Sequence, residues 1–233
     1  MIPENPILVA LDTANLYHAS KLASSLIGLI GGVKIGKEFF SAHGPTGVKT
    51  IAKLGVPIFL DLKFHDIPNT VANAIQATLK LNPFLINVHA AGGRDMLEAA
   101  NNAVKKNSAN TLLIGVTLLT SLNEKDLKDI GINQSVEKHV LNLAQLCKSV
   151  GLSGVVCSAR EIKSIKSACG KEFKAIVPGV RPNWSISNDQ KRFVTPHNAM
   201  KLGADYIVVG RPITKATEPQ EAAKKIGEEI GLN

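Results

Sequence analysis

Aromatic residues, cysteines and long apolar runs are all scarce in this chain, and each scarcity excludes a class of protein. Aromatic side chains make up 4% of the 233 residues, too few for a platform on which nucleic-acid bases stack. The three cysteines form no CxxC pair, which argues against a disulfide framework and a zinc site. The apolar runs are one strand long, well short of the roughly 20 residues that span a membrane. The start, MIPENPILVALD, has no signal-peptide features, so we expect a cytoplasmic protein without a membrane partner.

The net charge of +8 is carried mostly by scattered lysines. Most of them lie singly or in pairs on helix-like segments, as at Lys105–Lys106. This distribution is typical of a solvated basic surface and predicts no nucleic-acid partner. The five arginines differ, because each follows a predicted strand closely; they are Arg94, Arg160, Arg181, Arg192 and Arg211. Since the guanidinium fork suits phosphate oxygens, their placement favours an anionic ligand.

Short apolar runs alternate along the chain with amphipathic stretches of helical period. The predicted strands are 7–11, 32–36, 57–63, 84–90, 112–119, 154–158, 175–179 and 206–210, and helices are predicted over 70–81, 96–106 and 136–151. Eight buried strands that alternate with helices predict an α/β fold, a (β/α)₈ TIM barrel, with residues 1–233 as a single domain. An open, doubly wound sheet is the alternative.

Chemistry in such barrels gathers at the carboxyl ends of the strands. The polar residues at these ends are Asp12, Lys34, Asp61, Lys63, His89, Thr117 to Thr120, Ser158, Arg181 and Arg211. Any one of them has a simple explanation as a structural polar group. Together they predict a functional site at this end of the barrel.

The third strand ends in the most unusual segment, IFLDLKFHDIPNT at 58–70. Side chains alternate along a strand, so Asp61 and Lys63 point into the barrel mouth while Leu60 and Leu62 face the helices. A lone Asp-x-Lys is most simply a buried ion pair. Lys34 and Asp66 extend it to two lysines and two aspartates, an arrangement that holds a protonated lysine ready as an acid.

The segment DLKFHDIPNT resembles the signature of the orotidine 5′-monophosphate decarboxylase family. Weaker matches fall in the right order along the whole chain, namely ALD (10–12), VKIG (33–36), VTLLTS (116–121), PGVRP (178–182), NDQKR (188–192) and VVGRPI (208–213). The resemblance implies a cofactor-free (β/α)₈ homodimer without a metal, in which each active site is completed by the neighbouring subunit. It also implies conversion of orotidine 5′-monophosphate to uridine 5′-monophosphate.

The resemblance also assigns roles to individual positions. Lys34, Asp61, Lys63 and Asp66 correspond to the family's catalytic Lys–Asp–Lys–Asp set, with Lys63 as proton donor and Asp66 contributed to the partner's site. Asp12 corresponds to a ribose-binding residue, with Lys34 and Thr70 also near the sugar. Either Thr120 or Ser121 faces the pyrimidine, and we favour Thr120. The implied phosphate ligands are Arg181, Gln190, Arg211 and the backbone N–H groups of Gly210 and Arg211. The segment 181–192 is long and polar and holds the only tryptophan, so it is expected to close over them, with a plain surface loop as the alternative.

Three other hypotheses remain open from the sequence. His65 and His89 could hold a metal with Asp61, although Lys34 and Lys63 would repel a dication. A magnesium-dependent sugar-phosphate decarboxylase or aldolase of the same suprafamily shares the Asp-x-Lys-x-x-Asp pattern, but has an acidic metal ligand where this chain has Lys34. A non-catalytic barrel that only binds a nucleotide is the third, and it would have no need of a buried proton donor.

Overall fold

The architecture is a closed barrel of parallel strands in a computed structural model that describes residues 2–107, 110–185 and 194–232. Within these residues lie eight strands: β1 (Ile7–Ala10), β2 (Gly32–Ile35), β3 (Ile58–Phe64), β4 (Leu85–His89), β5 (Leu112–Val116), β6 (Gly154–Val156), β7 (Lys174–Val177) and β8 (Tyr206–Val209). Each strand pairs with the next, and β1 pairs with β8 with Ile7 opposite Ile207. The predicted (β/α)₈ barrel is confirmed, and the open-sheet alternative is wrong.

Helices follow the strands and cover the outside of the barrel. They are α1 (Leu16–Ser25), α2 (Lys37–Ala52), α3 (Pro68–Leu79), α4 (Gly93–Asn107), α5 (Glu124–Asp129), α6 (Val136–Ser149), α7 (Ile162–Cys169), α8 (Pro196–Leu202), α9 (Arg211–Thr214) and α10 (Pro219–Glu229). Their starts follow ordinary capping rules: the Ser135 hydroxyl accepts a hydrogen bond from the Lys138 N–H, and Pro68 occupies the first turn of α3. In the described part of the chain, no helix has the length and apolar character needed to cross a membrane.

Two apolar clusters follow from the alternation of side chains along the strands. Ile7, Val9, Ile58 and Leu60 pack with helix residues in the large outer cluster. Phe59, with strand residues such as Leu8 and Ile176, forms the smaller cluster that fills the barrel. Both faces of each strand are therefore buried, which explains why the strands read as continuous apolar runs.

Strand 5 ends earlier than the sequence predicts, at Val116 rather than residue 119. Beyond it, both the backbone N–H and the hydroxyl of Thr117 hydrogen-bond to the Val156 carbonyl. The chain then turns, with the Leu122 N–H bonded to the Leu119 carbonyl. The apolar run therefore continues past the sheet into a loop at the barrel mouth.

Candidate active site

Four charged side chains meet at the carboxyl ends of β1, β2 and β3. We call Asp12, Lys34, Asp61 and Lys63 the charge network. The Lys34 Nζ lies 2.9 Å from Asp12 Oδ1 and 3.3 Å from Asp61 Oδ2, and the Lys63 Nζ lies 2.6 Å from Asp61 Oδ1. Asp61 thus has one ammonium group on each of its carboxylate oxygens.

The charge network is largely shielded from water. The exposed fraction of the side chain is 10% for Asp61, 11% for Lys34 and 24% for Lys63, whereas Asp12 is exposed at 57%. Burial of an unpaired charge costs several kcal/mol, so mutual pairing is what makes this arrangement possible. Asp12, predicted only as a ribose ligand, also stabilises Lys34 and lies at the open edge of the network.

The strand that carries Asp61 is irregular where it reaches Lys63. The pairing of β3 with β4 shifts register between Leu60 and Phe64, and Lys63 has a φ of 52°. A left-handed backbone conformation is unusual for a residue with a long side chain. It persists only where contacts with the surrounding structure stabilise it. The irregularity directs the Lys63 ammonium group back onto Asp61, two residues earlier.

Asn87, in the middle of β4, completes the support of this strand end and was not identified from the sequence. Its amide nitrogen donates to Asp61 Oδ1 at 2.6 Å, and its oxygen accepts the Lys63 backbone N–H at 2.8 Å. The side chain is fully buried. Its one detectable signal in the sequence is a polar residue inside the apolar strand LINVH, since a buried amide needs partners.

Gly36 is a second contributor that sequence reasoning missed. A Cβ at this position would lie 2.9 Å from Lys34 Nζ and 3.0 Å from Asp12 Oδ1. Its φ of −94° and ψ of −175° are open to any residue. The glycine is therefore needed to leave room for the Lys34–Asp12 ion pair, and not for its backbone freedom.

Two predicted site residues stand apart from the charge network within this chain. Asp66 is exposed and its carboxylate accepts the Ile67 N–H at 2.7 Å. Thr70, in the first turn of α3, is also exposed. Within the described residues, no ion pair joins Asp66 to Lys34 or Lys63.

A cavity of about 200 Å³ opens beside the charge network, and we call it the inner cavity. Its lining combines charged residues with apolar ones: Lys34, Phe59, Asp61, Lys63, Val116, Leu118, Leu119, Thr120, Val156, Pro178 and Val208. Of the two residues proposed to face a base, Thr120 belongs to this lining, and Ser121 is not among the described residues that form it. The lining places apolar side chains beside two ammonium groups, which suits a ring that carries an anionic substituent.

A second cavity, of about 240 Å³, lies after β7 and β8, and we call it the arginine cavity. It is lined by Arg181, Trp184, Ser185, Arg211, Pro212, Lys215 and Ala216. Three of these seven side chains are cationic, which suits a phosphate. Gly210 precedes α9, and a Cβ there would have Ala10 Cβ at 3.9 Å as its nearest neighbour, so the backbone is open to close approach. Gln190 and the predicted loop's residues 186–192 lie outside the described residues.

His65 and His89 lie together beside the charge network, with ring centroids 5.3 Å apart. Burial, followed by repulsion from His65, Lys37 and Lys63, lowers the pKa of His89 from 6.5 to about 4. His89 is therefore neutral at pH 7. In the part of the chain that the structure describes, no three His, Cys, Asp or Glu side chains converge as metal ligands.

Comparison with known proteins gives a consistent result. Residues 5–226 match the model of the Orotidine 5′-phosphate decarboxylase / HUMPS family. The orotidine 5′-phosphate decarboxylase of Rhodospirillum rubrum is 49% identical over 233 residues, which cover 97% of this chain and 94% of the relative. That of a Wolbachia sp. from Brugia malayi is 50% identical over 222 residues, with 95% and 97% of the two chains covered.

A solved structure shows the same likeness in three dimensions. The orotidine 5′-phosphate decarboxylase of Lactobacillus acidophilus superposes with a TM-score of 0.87 at 36% identity and covers 97% of this chain and 99% of that one. The match of the family model over nearly the whole length, together with relatives near 50% identity, is decisive. The chain belongs to the orotidine 5′-phosphate decarboxylase / HUMPS family.

Proposed function

We propose that this chain is a carboxy-lyase that converts orotidine 5′-monophosphate to uridine 5′-monophosphate and CO₂, a reaction of pyrimidine nucleotide synthesis. The observation that carries the proposal is the pair of ammonium groups on Asp61, at 2.6 Å from Lys63 and 3.3 Å from Lys34, on the wall of the inner cavity. The names of the relatives support the same substrate.

The reaction poses an electrostatic problem. When the bond between ring carbon 6 and the carboxylate breaks, CO₂ leaves and the electron pair stays on the ring carbon, in an orbital that the ring π-system cannot delocalise. Enzymatic accelerations correspond to about 8–23 kcal/mol of barrier reduction, and so poorly stabilised a carbanion lies near the upper end. Stabilisation must come from fixed charges placed at that carbon.

Lys63 is the residue that we assign to this carbon. Its ammonium group stabilises the developing negative charge and then transfers one proton to the ring carbon, which completes uridine 5′-monophosphate. The neutral amine regains a proton from water in the next cycle. Asp61 holds Lys63 in place and is itself paired with Lys34, and the mechanism calls on no metal or organic cofactor.

The base, the ribose and the phosphate of the nucleotide can each be assigned to residues of the two cavities and the charge network. Thr120 on the inner cavity would contact the base, and Asp12 with Lys34 would bind ribose hydroxyl groups. The arginine cavity would take the phosphate through Arg181, Arg211 and the backbone N–H groups of Gly210 and Arg211, together with Gln190. Binding the phosphate away from the reacting carbon provides interaction energy that can be used for catalysis.

We also propose that the protein acts as a homodimer in which Asp66 enters the neighbouring active site. Asp66 and Thr70 are exposed in this chain, and Ile67 between them is 67% exposed. Contact with a second subunit would remove this apolar side chain from water next to Asp66. The role of Thr70 near the sugar would likewise depend on this contact.

The decisive assay follows the ultraviolet absorbance of orotidine 5′-monophosphate mixed with the purified protein in EDTA. We expect full turnover with release of one CO₂ for each uridine 5′-monophosphate formed. Turnover that disappears in EDTA and returns with magnesium would contradict the cofactor-free mechanism. Tight binding of uridine 5′-monophosphate without any turnover would instead identify a nucleotide-binding barrel.

A further inference from the structure

Asn87 forms hydrogen bonds with both site residues at the end of β3, the Asp61 carboxylate and the Lys63 backbone N–H. It does not belong to the lining of the inner cavity, and it is fully buried behind Asp61 and Lys63. These two hydrogen bonds, at 2.6 Å to the Asp61 carboxylate and 2.8 Å to the Lys63 backbone, link the two residues through one side chain.

The orientation of the Asn87 amide is fixed by chemistry. A backbone N–H can only donate, so the Asn87 oxygen must face Lys63. The amide NH₂ must then face Asp61, whose carboxylate accepts it. Aspartate or leucine at this position would lose one or both of these interactions.

The same carboxylate oxygen, Asp61 Oδ1, receives the Asn87 amide and the Lys63 ammonium group, both at 2.6 Å. Lys34 approaches the other oxygen at 3.3 Å. The terminal torsion of an aspartate is intrinsically broad, so a third donor on the buried side restricts its rotation. The bond to the Lys63 N–H also holds that residue at its φ of 52°, which its side chain disfavours.

We infer that Asn87 is a positioning residue for the reaction, which sets the rotamer of Asp61 and the backbone of Lys63 so that the ammonium group faces the inner cavity. The inference rests on the proposed function, since it concerns the geometry of the proposed proton donor. Asn87 itself does not touch the substrate. Its loss should therefore lower kcat and leave the affinity for uridine 5′-monophosphate nearly unchanged.

Two substitutions separate positioning from simple support of the fold. Asn87→Leu removes both hydrogen bonds, and kcat should fall about ten- to a hundredfold at every pH, the range expected for loss of a hydrogen bond to a charged group. Asn87→Asp keeps an acceptor for the Lys63 N–H but, when ionised, repels Asp61. When protonated, the introduced carboxyl group can again donate to Asp61, so activity should recover as the pH falls.

The measurement is kcat of each variant divided by kcat of the unmodified protein, between pH 8 and pH 5. The ratio removes the effect of groups common to both proteins. The charged or titratable groups around position 87 are Asp12 after β1, Lys34 on β2, Lys37 on α2, Asp61 and Lys63 on β3, His65 after β3 and His89 on β4. We expect the ratio to rise toward acidic pH for Asn87→Asp and to stay low and constant for Asn87→Leu.

Asn101→Asp is the matched control. Asn101 is 6% exposed on α4, and its amide nitrogen donates to the Val150 carbonyl at 2.8 Å. A buried carboxyl group there changes the free energy of unfolding with pH, but the kcat ratio of the folded protein should stay constant. Circular dichroism at each pH gives the folded fraction for all variants.

Three results would overturn the inference. They are unchanged kcat in Asn87→Leu, no recovery of Asn87→Asp at acidic pH, and an equal pH-dependent ratio in Asn101→Asp. If Asn87→Leu does not fold, Asn87→Asp at acidic pH, where its side chain is neutral and close in shape to asparagine, decides the question. An unmodified protein without turnover would count against the proposed function instead, so the two failures are distinguishable.

Discussion

Asp61 and Lys63 are two positions apart on β3, and their side chains form an ion pair of 2.6 Å on the wall of the same cavity. A regular strand puts both side chains on one face but does not turn the second toward the first. Here the register shift after Leu60 and the left-handed backbone of Lys63 bring the ammonium group back onto the carboxylate. The irregularity at the end of β3 is thus part of the site.

Replacement of Lys63 by alanine should abolish turnover and leave the barrel folded. The substitution removes the proposed proton donor, while Asp61 retains its ion pair with Lys34 and its bond from Asn87. The check combines the absorbance assay with circular dichroism and with the affinity for uridine 5′-monophosphate. Near-normal turnover in Lys63→Ala would refute the assigned role.

Lys166→Ala is the control for that experiment. Lys166 is another largely buried lysine, 16% exposed and paired with Asp205 at 2.7 Å, but it lies on α7 and lines neither cavity. We expect a lower free energy of unfolding and an unchanged kcat. A loss of turnover as large as that in Lys63→Ala would mean that any buried lysine deletion inactivates the protein.

Gly36→Ala should damage the site more than the fold. The added methyl group would lie about 3 Å from the ends of Lys34 and Asp12, and these flexible ends would move apart, while the backbone angles accept alanine. We expect lower affinity for orotidine 5′-monophosphate and slower turnover, with a melting temperature close to that of the unmodified protein. Gly227→Ala on α10, where the new Cβ meets Leu232 at an ordinary 3.7 Å, should leave both kinetic constants unchanged. Unaltered kinetics in Gly36→Ala would show that the Lys34–Asp12 pair is not needed.

The sequence was sufficient for those features that depend on local periodicity. Alternation along 58–63 predicts that Leu60 faces the helices and that Asp61 and Lys63 face the barrel mouth, and both are found. Asn87 could not be predicted in the same way, because its partner Asp61 lies 26 residues earlier and the contact depends on the exact pairing of β3 with β4. The position of a bulge is set by tertiary packing, which a pattern of apolar residues does not encode.

Proximity in the sequence does not decide which charges meet within one chain. Asp66 is three residues from Lys63, yet it lies in the exposed turn before α3, outside the charge network. Asp12 is 22 residues from Lys34 and forms an ion pair with it. Neighbouring strands place residues that are far apart in the sequence side by side. A residue just after a strand can already lie outside the site, because the chain leaves the barrel there.

A mixture of two inactive variants can test the proposed contribution of Asp66 to the neighbouring site. If Asp66 acts in the partner's site, a heterodimer of Lys63→Ala and Asp66→Asn contains one site with both changes and one site with neither. The co-refolded mixture should then regain turnover that neither variant has alone. A mixture that stays inactive while its subunits exchange, as measured by native mass spectrometry, would indicate that Asp66 acts within its own chain. Normal turnover of Asp66→Asn alone would instead show that Asp66 has no role.

His89 should make the folded protein less stable as the pH falls below neutrality. Its pKa is about 4 in the folded protein against 6.5 ordinarily, because burial and then repulsion from His65, Lys37 and Lys63 disfavour its charged form. Between these two values the unfolded chain binds more protons than the folded one, so the free energy of unfolding decreases as the pH falls from about 6.5 to about 4. His89→Gln removes this contribution. The free energy of unfolding of this variant, measured in urea at closely spaced pH values, should decline less over that interval.

His18→Gln is the control, at an exposed position on α1. Its free energy of unfolding should change with pH as that of the unmodified protein does. An equally steep decline in His89→Gln would mean that other groups, and not the neutral His89 beside the charge network, set the acid sensitivity of the fold.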